Sequence, residues 1–331
     1  MKMFFLFALM LIPQGLFAAE YDPLAVRSTE DVKTYLLEVN DPKRNREIPI
    51  KVFLPEVEQP AAVVLYSHGL GGSRETASYL GQHWAKRGFV LINMQHPGSD
   101  ESVWKGIPIR QIMPAMKKAA NSQNFLDRTQ DVKVVLDQLE KWNAEQGHLL
   151  NGKLNLEAVG MSGHSFGAVT TEAVSGQALP GGAQPFTDQR ILAAIAMSPS
   201  TPVGQSAEVS FRKVSIPWML MTGTHDEAPV GGQTMETRLA VFPALPTTND
   251  RYQIILHNAV HSAFTENSRR RDRNRKNPNH HKVILALSTA FWEAYLNDNE
   301  AAKQWLLSPQ AREVMEQDDQ WEALSAGNVT D

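Results

Sequence analysis

Cysteine is absent from all 331 residues. That removes a disulfide framework, a thiolate metal site, a lipidated cysteine and a cysteine nucleophile together. Excess charge is missing too: 32 Lys and Arg stand against 36 Asp and Glu, a formal net charge of −4. Such a balance argues against a general binder of nucleic acid or anionic membrane. Beyond the first twenty residues no apolar run approaches the roughly 20 residues that span a bilayer. No internal repeat and no linker-like stretch divides the chain, and 42% hydrophobic content can fill one sizeable core.

What is present begins with a leader. Lys2 is followed by an apolar stretch from Met3 to Ile12 and by small residues at Ala18 and Ala19. This is the pattern of a cleaved secretory signal. Residues 1–19 are therefore expected to be a signal peptide and 20–331 a single domain, periplasmic or secreted, with no stable membrane anchor.

Short apolar runs at 61–67, 89–95, 191–198, 216–223 and 252–257 read as strands, and 32–39 with 47–55 as an antiparallel hairpin. Helical spacing fills about 74–87, 126–146 and 283–296, with two further short helical stretches to about residue 325. Strands alternating with helices predict an α/β fold: a mostly parallel sheet with antiparallel N-terminal edge strands and helices on both faces. Residues 96–125, 175–190 and 262–282 fit no regular element. The last includes a basic run, 269–282, expected to be solvated surface.

One stretch carries chemistry. In "LNLEAVGMSGHSFGAVTTEAV", residues 154–174, an apolar strand stops at Gly163, and His164-Ser165-Phe166 leads to Gly167 and a helical pattern. A glycine-containing turn with an incidental serine is the plain reading. The strand before and the helix after favour a nucleophile elbow with Ser165 at its tip. A serine hydroxyl needs a base and an acid that orients the base, and in this chain order they follow later strands. "MLMTGTHDEAPV" offers Asp226, with Glu227 as rival, and "IILHNAVHSAF" offers His261, with His257 at the strand end as rival. The pair His280-His281 reads as a solvated helix start rather than a metal site. Upstream, "SHGLGG" (67–72) is a glycine-rich turn that matches neither dinucleotide nor P-loop patterns. Its Leu70 amide, with that of Phe166, is the expected oxyanion hole.

"SHGLGG", "INMQHPGSD", "GHSFGA", "THDEAPV" and "FWEAYL…AAKQWL" together resemble bacterial dienelactone-hydrolase-like serine hydrolases, relatives of the platelet-activating-factor acetylhydrolases. The likeness runs from about residue 50 to 306. It implies an α/β-hydrolase fold with Ser165 as nucleophile, His261 as base, and Leu70 and Phe166 as oxyanion amides. The acetylhydrolases take their acid after the strand that follows the elbow, where this chain has "MSPS" (197–200). The acid is then expected one strand later, at Asp226, as in cutinase-like polyester hydrolases. The expected activity is hydrolysis of a small-molecule carboxylic ester, with no cofactor and no metal. A phospholipid acetylhydrolase, a polyester-directed esterase and a catalytically silent binding protein remain as alternatives. Trp104, Met113 and Met116, in an unusually apolar connection, are expected to bind substrate, with burial of that face in the core as the plain alternative. Oligomeric state is not legible in the sequence.

Overall fold

A computed structural model describes residues 21–26, 28–266 and 277–326. The expected leader, and most of the basic run, lie outside the described residues.

The chain opens with the hairpin β1 (Lys33–Asp41) and β2 (Arg46–Leu54), followed by β3 (Ala61–Ser67), α1 (Ser78–Lys86) and β4 (Val90–Met94). Next come α2 (Ile109–Ala119), α3 (Ser122–Ala144), β5 (Leu154–His164), α4 (Phe166–Val174) and β6 (Ile191–Met197). Then follow α5 (Ala207–Phe211), β7 (Trp218–His225), α6 (Met235–Leu239), α7 (Val241–Ala244) and β8 (Arg251–Val260). The series ends with α8 (Pro278–Leu296), α9 (Glu300–Leu307) and β9 (Gln320–Leu324). The strands form one nine-stranded sheet in the order β1-β2-β4-β3-β5-β6-β7-β8-β9. The six strands β4, β3 and β5 to β8 run parallel, and β1, β2 and β9 pair antiparallel at the edges. This is the expected architecture, an α/β-hydrolase sheet.

The parallel strands are mostly apolar because both of their faces are covered, with β3, β4 and β6 the least interrupted. On one face Trp84 of α1 meets Trp292 of α8 edge to face, 5.8 Å between centroids, within a large apolar cluster. On the other, Val132, Val135, Leu136 and Leu139 of α3 pack on β3, β4 and β5.

Three expectations need correction. Residues 96–125 contain a 3-10 turn at Glu101–Val103 and the helix α2. Pro108 and the internal Pro114 interrupt the pattern and conceal the helical spacing of Ile109, Ile112, Met113 and Met116. Of the segment expected to be helical to about residue 325, α9 and a 3-10 turn at Pro309–Val314 are helical, but its end is instead β9. Trp321 stacks on Tyr252 of β8, and the backbone closes that strand's open edge. His280 and His281 are not a solvated helix start. His280 is 2% exposed, its Nε2 lies 3.0 Å from His257 O, and His281 stacks on Tyr79 at 4.1 Å.

Candidate active site

Leaving β5, the chain passes through Ser165 at φ 59°, ψ −116° before α4 begins. That region is strained for any side-chain-bearing residue and persists only where neighbours hold it. Two glycines do so by omission. A Cβ on Gly163 would lie 2.3 Å from Gly167 O, and one on Gly167 would lie 1.8 Å from Ser67 O. The turn can close only without them. Ser165 N donates to Met197 O at 2.9 Å, tying the elbow to the end of β6.

Asp226 follows β7 and His261 follows β8, both at the carboxyl edge of the sheet. His261 Nε2 is 2.8 Å from Ser165 Oγ, and His261 Nδ1 is 2.6 Å from Asp226 Oδ1. Burial pushes the Asp226 carboxyl up, but the His261 bond and the charges of His261 and Arg238 outweigh it, leaving it at about 2. The carboxylate is therefore ionised and accepts Nδ1–H, which turns the Nε2 lone pair toward the serine hydroxyl. Glu227 is exposed. His257 is 40% exposed at its side chain and 3.9 Å from Asp318. Neither rival reaches the cluster.

The Asp226 carboxylate has supports that the sequence did not reveal. Ser198 Oγ and Thr222 Oγ1 donate to Asp226 Oδ2 at 2.7 and 2.9 Å. Arg238, 1% exposed, donates to Asp226 O at 2.7 Å and to Ser198 O at 2.7 Å, and its Nη2 lies 3.3 Å from Asp226 Oδ1. Ser198 occupies the place after β6, at φ 63°. No spacing in "TMETRLAVF" marks Arg238 as part of a site.

The loop after β3 comes up against the elbow. A Cβ on Gly69 would stand 3.4 Å from Ser165 Cβ. The amides of Gly71 and Gly72 are taken by Ser99 O and Gly69 O, whereas those of Leu70 and Phe166 have no acceptor among the described residues. Trp104 Nε1 donates to Gly71 O at 2.7 Å, and a Cβ on Gly71 would meet Met116 Cε at 2.7 Å. Met113, 38% exposed, shares the helix face of Met116 one turn away.

A second network has the connectivity of a catalytic triad. Ser67 Oγ is 2.9 Å from His96 Nε2, and His96 Nδ1 is 2.9 Å from Asp131 Oδ2, with all three side chains fully buried. Arg44 and Arg46 donate to Asp131 at 2.7 and 2.8 Å. Burial pushes Asp131 up, but its bonds and charges with His96 and Arg46 hold it at about 2. Burial and the Arg128 charge pull His96 down to about 4. A surface cavity of about 830 Å³, lined among others by Arg44, Arg46, Pro97 and Asp127, opens beside this network rather than over Ser165. Arg128 and Asp131 were missed in the sequence, yet each stands four residues before a core position of α3, Val132 and Val135. A charge in register with an apolar stripe is the signal that would have found them.

These are the parts of a serine hydrolase for carboxylic esters. Residues 51–141 match the family model described as platelet-activating factor acetylhydrolase, isoform II. The match spans the glycine-rich loop and most of α3 but not the elbow, and it covers less than a third of the chain. It shows an α/β-hydrolase domain related to that family, with no signal specific to dienelactone hydrolases. No curated protein matches the chain. Among the described residues no helix is long and apolar enough to cross a membrane, and no three His, Asp or Glu side chains converge as metal ligands.

Proposed function

We propose that this chain is an exported esterase, a leader followed by one hydrolase domain, that cleaves carboxylic esters through an acyl-enzyme on Ser165. The observation that carries the reading is the pair of contacts at His261, 2.8 Å to Ser165 Oγ and 2.6 Å to Asp226 Oδ1. His261 Nε2 takes the Ser165 proton as Oγ bonds to the ester carbonyl carbon. The carbonyl oxygen becomes an alkoxide held by the Leu70 and Phe166 amides. On collapse the C–O bond breaks and His261 returns its proton to the leaving alcohol. Water, deprotonated by the same imidazole, then releases the acid.

Ser165 is favoured over Ser67 as nucleophile because Ser67 is 0% exposed and no acyl group can reach it, whereas the elbow leaves Ser165 half-buried at the sheet edge. Export is supported by the residue pattern of 1–19. The partial match to an acetylhydrolase family favours a short acyl group, so an acetylated phospholipid is a second reading. Trp104, Met113 and Met116 supply an apolar wall beside the oxyanion loop for that group. The test is turnover of nitrophenyl esters of graded acyl length. Ser165→Ala is expected to retain less than about one part in a thousand of wild-type kcat. Retention of more than a few per cent would remove Ser165 from the role.

A further inference from the structure

The Ser67–His96–Asp131 network is fully buried, yet its two bonds, 2.9 Å each, are nearly as short as the 2.8 and 2.6 Å of the open triad. Its place in the chain gives the reason. Ser67 ends β3, and the oxyanion loop is the next segment. Arg128, fully buried on the core face of α3, donates from Nη1 to His68 O at 2.7 Å and to Ser67 Oγ at 3.2 Å. Its Nε donates to Ser99 Oγ at 2.8 Å, and Ser99 O in turn holds the Gly71 amide at 2.8 Å. The guanidinium carbon lies 4.4 Å from the centre of the Phe166 ring. One planar cation thus touches the segment carrying the Leu70 amide and the residue carrying the Phe166 amide.

The proton order behind it is fixed. Ionised Asp131 accepts from His96 Nδ1, so His96 Nε2 accepts the Ser67 hydroxyl, whose oxygen accepts from Arg128. The His96 amide donates to His68 Nε2 at 3.0 Å, leaving His68 Nδ1–H to hold Gly69 O at 2.7 Å. A loop with glycines at 69, 71 and 72 has no side chains there to anchor it, and a donor displaced by about 1 Å costs around 100-fold in rate. No carboxylate lies at ion-pair distance from Arg128 among the described residues. A buried cation without such a partner is costly in a fold. Lysine would supply the charge without the fork that bonds two loops at once.

We infer that Arg128, oriented through Ser67, His96 and Asp131, is a positioning residue that sets the spacing between the two oxyanion amides. The inference rests on Ser165 being the nucleophile.

Arg128→Met and Arg128→Lys test it in the full chain, with nitrophenyl butyrate turnover, butylboronic acid inhibition and fluorophosphonate titration of competent serine. Arg128→Met is expected to lower kcat about 100-fold and Arg128→Lys about tenfold, with KM within twofold. The boronate, whose tetrahedral adduct fills the oxyanion pocket, should weaken by the same factor as kcat/KM. Should the methionine variant not fold, Arg128→Lys and Ser99→Ala, the latter expected to lose about threefold in kcat, carry the test. An unchanged kcat, a change in KM alone, or a loss explained wholly by fewer titratable serines would overturn the assignment. A wild-type enzyme that neither turns over nor labels would instead overturn the reading beneath it.

Discussion

Ser198 and Asp226, 28 residues apart in the chain, share a 2.7 Å hydrogen bond beneath the imidazole of His261. The hydroxyl stands after β6 and the carboxylate after β7, so the carboxylate supplied by one strand end is held by a donor from its neighbour. Asp226→Asn removes the ionised acceptor of Nδ1–H and favours the wrong imidazole tautomer, and kcat should fall by up to about 10⁴. Ser198→Ala removes one of several donors and should cost about three- to tenfold. Glu227→Gln should leave kcat within twofold. Steady-state kinetics on the three variants checks the order, and a large effect at Glu227 with none at Asp226 would move the acid.

The elbow predicts its own stability effect. Gly167→Ala sets a Cβ 1.8 Å from Ser67 O, a contact with backbone on both sides. The strand or α4 must shift, at a cost of at least about 3 kcal/mol. Urea unfolding should show the loss, with ester turnover falling in parallel because Phe166 moves with the helix.

Glu172 gives a stability profile of opposite sign to most carboxylates. It is fully buried on α4, accepts the Ser200 amide at 2.8 Å, and burial pushes its carboxyl up to about 8 against the Ser200 bond and the Arg238 charge. Between its unfolded value near 4.5 and about 8 the folded state holds a proton that the unfolded state has lost. Stability therefore falls as pH rises through that window and levels off above it. Glu172→Gln keeps the amide acceptor and should raise stability at pH 8 by on the order of 2–4 kcal/mol, with little effect at pH 4. Denaturant midpoints at pH 4, 6 and 8 decide it. Equal midpoints for both proteins at pH 8 would contradict the buried proton.

The sheet was legible because several of its parallel strands are buried on both faces and read as nearly unbroken apolar runs, as in "AAVVLYS". The meeting of Ser165, Asp226 and His261 was legible because a tight strand-to-helix turn fixes a local glycine pattern and the ends of later strands fix what stands beside it. Arg238 was not, since it reaches Asp226 and Ser198 from a five-residue helix whose sequence resembles any surface turn. The 96–125 connection failed differently, with prolines masking α2. β9 covers the open edge beside β8, and its alternation of Gln320, Trp321, Glu322 and Ala323 is too short a run to stand out in the sequence.

The acyl wall proposed on α2 predicts an order of selectivity. Trp104 is pinned to Gly71 and Met116 packs on it, while Met113 is 38% exposed on the same face. Each added methylene that reaches this wall should improve kcat/KM by about 0.8 kcal/mol until the wall ends, so rates should rise over the first few acyl carbons and then decline. Met113→Ser should flatten the rise while leaving acetyl esters unaffected within about twofold. A steady increase to long-chain esters would place the acyl group elsewhere.

The most direct test of the account is where a fluorophosphonate attaches. Only a serine paired with a working base and open to solvent is labelled, and the described residues hold two Ser–His–Asp networks, one fully buried and one at a half-buried serine. Peptide mapping after labelling should find the adduct on the segment containing Ser165 in wild type, at near-full occupancy, and no adduct in Ser165→Ala. An adduct on Ser67, or an unlabelled wild-type protein, would contradict the assignment of the elbow serine as the nucleophile.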